Sequence, residues 1–477
     1  MRYISTRDIT KSLDFIEIVK TGLAPDGGLY VPESWPVFDP STQKLLCKEK
    51  SYQKLASFIL YPFVQDHFTK AEFAMLINDA YKVFHHPLIT PLKQLDDRLW
   101  IMELFHGPSL AFKDIAMQFL ARILNWILHQ KKQRLMIVCA TSGDTGASAI
   151  EAFKGQSHID VVVLYPSGRI SDMQRRQMTT VHSDNIEVIA LDGTFDECQH
   201  LVKRILLDQH LRSSLNLCAV NSINWARLMA QIVYYFMASF VLSDDETVPL
   251  NFVVPTGNFG NIYAGYAAWK MGLPVEQLIV ATNNNDILTR FFNSGMMAIH
   301  KVEPTLSPSM DIQQASNFER LLFDLCHHQT NVVDSLMKQF QDKGVFEFPI
   351  NRDEKAFHLF KAYKTGDQQT LVTMKNIYQK TGYILDPHTA VGVSAALQNQ
   401  KLSSSPNTVV LSTAHPAKFP DAVYQALHRY PDVPPYLTEL KDKQERQKEM
   451  PNNLSLFINF IKNWYQERSS GKTHVTN

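Results

Sequence analysis

The sequence predicts an α/β protein built on parallel sheets. Two observations carry that expectation. Short apolar runs recur at 135–140 (LMIVCA), 161–165 (VVVLY), 186–191 (IEVIAL), 249–255 (PLNFVVP), 278–283 (LIVATN) and 408–412 (TVVLS). Runs of this kind suit strands covered on both faces. Between them lie helical patterns of about ten to fifteen residues, and strands alternating with helices of that length imply crossover connections.

Composition narrows the class. The 477 residues are enough for two or three domains and a large core. Hydrophobic residues make up 45% and charged residues 20%, the balance of a soluble globular protein. Lys plus Arg equals Asp plus Glu at 47 each, so no global field favours nucleic acid or an acidic membrane, and any anion site must be local. No apolar run is long enough to span a bilayer, and MRYISTRDIT lacks the apolar stretch of a secretory signal. Cys47, Cys139, Cys198, Cys218 and Cys326 are scattered and form no CxxC, which points to a reducing, cytoplasmic setting. The pairs His85-His86 and His327-His328 are adjacent, and adjacent side chains do not converge, so no metal site is expected.

Along the chain, residues 1–85 read as a first unit. Asp26-Gly27-Gly28 requires a permissive backbone, 29–31 reads as a short strand, and 41–84 reads as helical. A strand at 99–104 leads into ELFHGPSLAFKD (103–114). Gly107-Pro108-Ser109 is a turn signal. A helix follows, with Ile115, Phe119, Ile123 and Ile127 four apart and Asp114 as N-cap or first-turn acid. Lys113 therefore stands at a helix start, where the local potential is positive. That potential and partial burial both favour the neutral amine, the form that makes a Schiff base. The plain alternative is a surface lysine after a turn.

The 135–140 strand ends in Thr141-Ser142-Gly143-Asp144-Thr145-Gly146 before a helix. Strand, glycine-bearing turn and helix present backbone N–H groups to an anion, and Ser142 and Thr145 add hydroxyls. Asn221-Ser222-Ile223-Asn224-Trp225-Ala226-Arg227 opens a helix through Leu242. The 249–255 strand runs into Thr256-Gly257-Asn258-Phe259-Gly260-Asn261 and a helix over 262–271. Its glycines let several N–H groups converge on one phosphate. Residues 290–350 break the alternation and read as an insert. Asp386 is a candidate N-cap with Pro387 at N1. The 408–412 strand ends at Thr413, the charge-mixed run 436–451 reads as a solvated helix, and 469–477 looks frayed.

Five separated stretches occur in order: GLAPDGGLYVP (22–32), HGPSLAFKD (106–114), GNFGN (257–261), SPSMDI with SNFER (307–320) and STAHPAKFP (412–420). On these motifs the chain resembles threonine synthases of the longer class, fold type II enzymes that use pyridoxal 5'-phosphate (PLP). The resemblance implies two doubly wound parallel-sheet domains with an additional N-terminal domain. It divides the chain into an N-terminal α/β extension (1–85), a PLP-binding core (86–435; smaller domain about 115–220, insert about 290–350) and a C-terminal helical tail (436–477). It implies Lys113 as the cofactor lysine and catalytic base. Gly257, Asn258, Phe259, Gly260 and Asn261 cradle the cofactor phosphate, and Thr413 meets the pyridine nitrogen. Asn261 stands where the family pattern has Asp, a change that keeps the main-chain donors. By the same analogy Thr141, Ser142 and Thr145 take the substrate carboxylate, and Ser222, Asn224 and Arg227 take the leaving phosphate. His388 and His415 read as structural histidines near the site.

The implied reaction converts O-phospho-L-homoserine and water to L-threonine and phosphate, the last step of threonine biosynthesis. Two other outcomes share the same motifs: a phospho-lyase giving 2-oxobutyrate, and a catalytically silent PLP-binding paralogue. The expected partner is a small-molecule substrate, with no nucleic acid and no membrane, and the expected state is a monomer.

Overall fold

Strand Leu250–Pro255, buried throughout, sits inside a six-stranded sheet. The order across that sheet is Phe360–Lys364, Val275–Thr282, Leu250–Pro255, Thr408–Ser412, Leu99–Glu103 and Leu92–Asp96. All pairings are parallel except the last, which is antiparallel. Val253, Ile279, Ala281 and Val410 pack with Ala390, Val391 and Val393 of helix Pro387–Gln400. Each valine and isoleucine among them contributes about 1.5–3 kcal/mol by leaving water. The sheet lies in the first of two compact units, Met1–Phe112 with Ser222–Asp432; the second is Lys113–Asn221 with Val433–Asn477. The structure, a computed structural model, describes residues 1–141, 143–243, 248–350, 354–400 and 407–469.

Within the first unit, Tyr3–Ser5 pairs antiparallel with Tyr30–Pro32, and helices Tyr52–Val64 and Lys70–Tyr81 follow. Trp225, at the start of helix Trp225–Val241, is buried against the rings of Tyr3, Trp35 and Phe63. The N-terminal segment is thereby packed onto the start of that helix. The stretch that breaks the alternation holds an antiparallel pair, Met296–Ala298 with Val345–Glu347, and helices Phe318–Leu325 and Thr330–Lys343.

The second unit carries a parallel five-stranded sheet, ordered Lys448–Pro451, Ile186–Asp192, Ile159–Pro166, Leu135–Ala140 and Leu217–Cys218. Val138, Val162, Leu164 and Ile189 pack with Phe457, Ile461 and Trp464 of helix Leu454–Ser469.

The structure decides between two alternatives at Asp114 and corrects one expectation. Helix Lys113–Gln130 begins at Lys113, so Asp114 is a first-turn acid and not the N-cap. The run 436–451 is not a solvated helix. It makes one helical turn at Pro435–Thr438 and then the edge strand Lys448–Pro451, parallel to Ile186–Asp192. Its charges find partners along that edge. Arg175 Nε donates to Glu445 Oε2 at 2.8 Å, and Arg446 and Lys448 lie 3.7 and 3.8 Å from Glu187. Lysine on the strand and proline at its end are devices that edges tolerate. The stretch 469–477 lies outside the described residues apart from Ser469. All five cysteines are buried thiols. Among the described residues no helix is long and apolar enough to cross a membrane.

Candidate active site

Candidate residues occur in both units. In the second unit, Lys113 is the first residue of its helix, and its Nζ lies 3.6 Å from Asp144 Oδ2. Gln174 Nε2 donates to Asp144 Oδ1 at 3.4 Å. The acid was not foreseen. It opposes the positive potential of the helix start, an effect that the two considerations drawn from the sequence did not include. Asp144 opens helix Asp144–Phe153, whose N-cap Gly143 supplies no side-chain bond. The first-turn N–H groups of that helix therefore lack an intrahelical acceptor. Thr141 Oγ1 accepts from Gly143 N–H (3.0 Å) and Gly146 N–H (2.9 Å), closing the turn. Thr145 is half-buried, and Ser142 lies outside the described residues.

In the first unit, Phe112 N–H donates to the Thr413 carbonyl (2.9 Å), and His415 N–H donates to that of Leu110 (3.1 Å). The chain just before Lys113 is thus stitched to the end of strand Thr408–Ser412. Thr413 itself is buried. The glycine-rich turn leads into helix Gly260–Lys270, which starts two residues earlier than expected and has no side-chain cap. Phe259 adopts a left-handed φ of 63°, a strain of about 1 kcal/mol. The rings of Phe292, Phe318 and Phe360 hold it there. A Cβ on Gly257 would come within 2.9 Å of the Ser309 carbonyl, so the 307–312 segment presses directly on the turn. Ser309 N–H in turn donates to His388 Nε2 (3.2 Å), and His388 Nδ1 bonds Asp386 Oδ1 (3.0 Å). His388 is thereby satisfied within the fold. His415 Nδ1 accepts from Ala417 N–H (3.1 Å), and burial pushes its imidazole down to about 4. Asn261 Oδ1 accepts from Tyr234 Oη (2.5 Å), and its carbonyl accepts from Tyr235 Oη (2.9 Å). Its Oδ1 is taken by two tyrosines, while its Nδ2 is buried with no hydrogen-bond partner among the described residues.

Asn224 Oδ1 accepts from Ala226 N–H (3.1 Å), and its Nδ2 donates to the Val19 carbonyl (2.8 Å). It fixes the start of the helix that carries Arg227. Arg227 is 5% exposed, and its Nε has no hydrogen-bond partner among the described residues. Desolvation lowers its pKa to about 10. A buried guanidinium without a counter-charge is costly unless an anion completes it. Ser222 Oγ lies 3.1 Å from Ser316 Oγ.

Sequence reasoning assigned no chemistry to SNFER. Its Arg320 is fully buried, donating to the carbonyls of Tyr30 (2.9 Å) and Ile223 (2.6 Å) and to Asn317 Oδ1. Glu319 accepts from Arg7 Nε (3.0 Å) and Nη2 (2.9 Å). The one available signal was a Glu-Arg pair beside an aromatic, and spacing cannot name partners so far away.

Residues 83–414 match the family of pyridoxal-phosphate dependent enzymes, 2–81 match the threonine synthase N terminus and 389–461 match the threonine synthase C-terminal region. The chain is 46% identical to a threonine synthase of Pseudomonas aeruginosa over 97% of its length and 98% of that protein's. The chain belongs to the threonine synthase family. A second threonine synthase, from Saccharomyces cerevisiae, is 42% identical over 89% of each chain. Among solved structures, a PLP-bound threonine synthase from Brucella melitensis superposes with a TM-score of 0.94 at 43% identity, covering 98% of this chain and 100% of that one. The family's cofactor suits what this threonine synthase family member presents. An uncapped helix start with a glycine-bearing turn offers donors to a phosphate, and the buried Asn261 Nδ2 of that turn has no hydrogen-bond partner among the described residues.

Proposed function

We propose that this chain converts O-phospho-L-homoserine and water to L-threonine and phosphate. The near full-length identity to threonine synthases carries the reading. PLP, when bound, supplies an electron sink for the carbon next to the amino group. Lys113 is the lysine that links the cofactor, and its amine moves protons at the substrate's α and β carbons. Asp144, 3.6 Å away, orients that amine. The N–H groups of Gly257, Asn258, Phe259, Gly260 and Asn261 hold the cofactor phosphate, and the Thr413 hydroxyl faces the ring nitrogen. A neutral hydroxyl does not enforce a protonated ring, which moderates the sink. Thr141, Ser142 and Thr145 take the substrate carboxylate on their turn. Ser222 and Arg227 take the phosphate as it leaves the γ carbon, and Asn224 keeps Arg227's helix start in place. Water then contributes the hydroxyl at the β carbon. The extension 1–85 serves as a brace, through the rings packed around Trp225.

The test is a product assay on purified protein with O-phospho-L-homoserine. Threonine and phosphate in equal amounts are expected. Phosphate with 2-oxobutyrate would move the chain to the phospho-lyase reading. Absence of phosphate release from PLP-loaded protein would sink both. The same reading makes the chain a cytoplasmic monomer, and a dimer mass in sedimentation would overturn that part.

A further inference from the structure

Asn317 is fully buried beside the glycine-rich turn, and every hydrogen-bonding atom of its side chain is assigned by its neighbours. Oδ1 must face Arg320, because Nη1 of that guanidinium can only donate. The two hydrogens of Nδ2 then meet two acceptors, the Asn258 carbonyl at 3.1 Å and Ser222 Oγ at 3.4 Å. The Asn317 N–H donates to the same Asn258 carbonyl at 3.0 Å. Ser222 Oγ and Ser316 Oγ are 3.1 Å apart, and Ser316 Oγ donates to Asn258 Oδ1 at 3.1 Å. The bonds close a ring that runs Asn317, Ser222, Ser316, Asn258 and back to Asn317. Arg320 anchors it from behind through the Ile223 carbonyl and lies over the Trp225 ring, 5.9 Å from its centroid. Gly260 leaves room for the ring, since a Cβ there would stand 3.2 Å from Asn317 Nδ2.

We propose that Asn317 is a positioning residue that holds two anion cradles of the first unit in one frame: the 257–261 turn and the 222–227 helix start. The inference rests on the proposed function for what those cradles bind, PLP phosphate and substrate phosphate. One amide reaches both, so loosening it disturbs both together. A side chain that merely filled core volume would change stability without changing the two anion affinities in step.

Asn317→Asp separates these roles. The carboxylate keeps an oxygen toward Arg320 and gains an ion pair, while both Nδ2 donors are lost and a negative charge is added; the neutral Asn317→Ser, scored alongside, removes the effect of that charge. PLP affinity is read by titrating the apo protein, and phosphate affinity by the rise in melting temperature of the holoenzyme with inorganic phosphate. Both dissociation constants should rise about tenfold in the variant, with apo melting close to that of the unaltered protein. Either constant staying within about twofold in the folded variant overturns the inference. Asn317→Ser, which lacks the amide donors and adds no charge, is scored by the same two constants whether or not Asn317→Asp folds, and must show the same paired rise. Neither readout needs turnover. A failed product assay with the unaltered protein would count against the proposed substrate, not against the shared frame.

Discussion

Lys113 and Arg227 are both cations with little solvent exposure, yet their surroundings differ. Lys113 has an acid at 3.6 Å, whereas Arg227 has a buried, unbonded Nε and a pKa lowered to about 10 by desolvation. The contrast leads to opposite expectations for truncation. Lys113→Ala should abolish threonine formation and the visible absorbance of bound cofactor; an active variant would remove Lys113 from its assigned role. Arg227→Ala removes a buried charge with no ion-pair partner among the described residues, so apo stability should hold or rise. Its Michaelis constant for the phosphorylated substrate should increase far more than its PLP dissociation constant. If PLP is lost instead, Arg227 belongs to the cofactor cradle. Lys113 was legible because a turn, a lysine and a helix signal are contiguous. Asp144 was not, because an ion pair between two helix starts 31 residues apart in sequence leaves no local trace.

At the scale of elements, buried parallel strands were the easiest to read. Runs 135–140 and 408–412 coincide with the strands Leu135–Ala140 and Thr408–Ser412, because a strand covered on both faces is apolar at every position. The edge strand Lys448–Pro451 was missed for the converse reason. Its KEMP sequence carries the charges that edges bear and that exposed helices bear equally. SNFER was recognised as a pattern and left without a role, since its partners lie 59, 95 and 290 residues away in Asn258, Ser222 and Tyr30. The C-terminal helix has an energetic consequence of its own. Trp464, 6% exposed, closes the second unit's core with Phe457 and Ile461. Trp464→Ala should lower the unfolding free energy by roughly 3 kcal/mol. Urea denaturation checks this, and a loss below about 1 kcal/mol would mean the helix adds little to the core.

Over the whole molecule, acid should be a selective stress. The imidazole of His415 stays uncharged in the folded chain down to about pH 4, because burial lowers its pKa. In the unfolded chain it takes up a proton near its ordinary value of about 6.5. Stability from this group is full above about pH 6.5 and is lost as pH falls towards 4, where the unfolded state binds the extra proton. His415→Gln should flatten that slope in urea midpoints measured across the interval. An unchanged slope would assign the acid sensitivity to other groups.

The buried thiols give the chain built-in gauges of its own opening. Burial raises the pKa of Cys139 to about 12 and those of Cys198, Cys218 and Cys326 to about 11, so few thiolates are present at neutral pH in the native state. A disulfide-exchange reagent can then label each one only when its surroundings part. Cys47 and Cys326 report on the first unit, and Cys139, Cys198 and Cys218 on the second. Labelling rates compared residue by residue, with and without cofactor, would show which unit breathes first and which one the cofactor quiets, with no probe engineered into the protein.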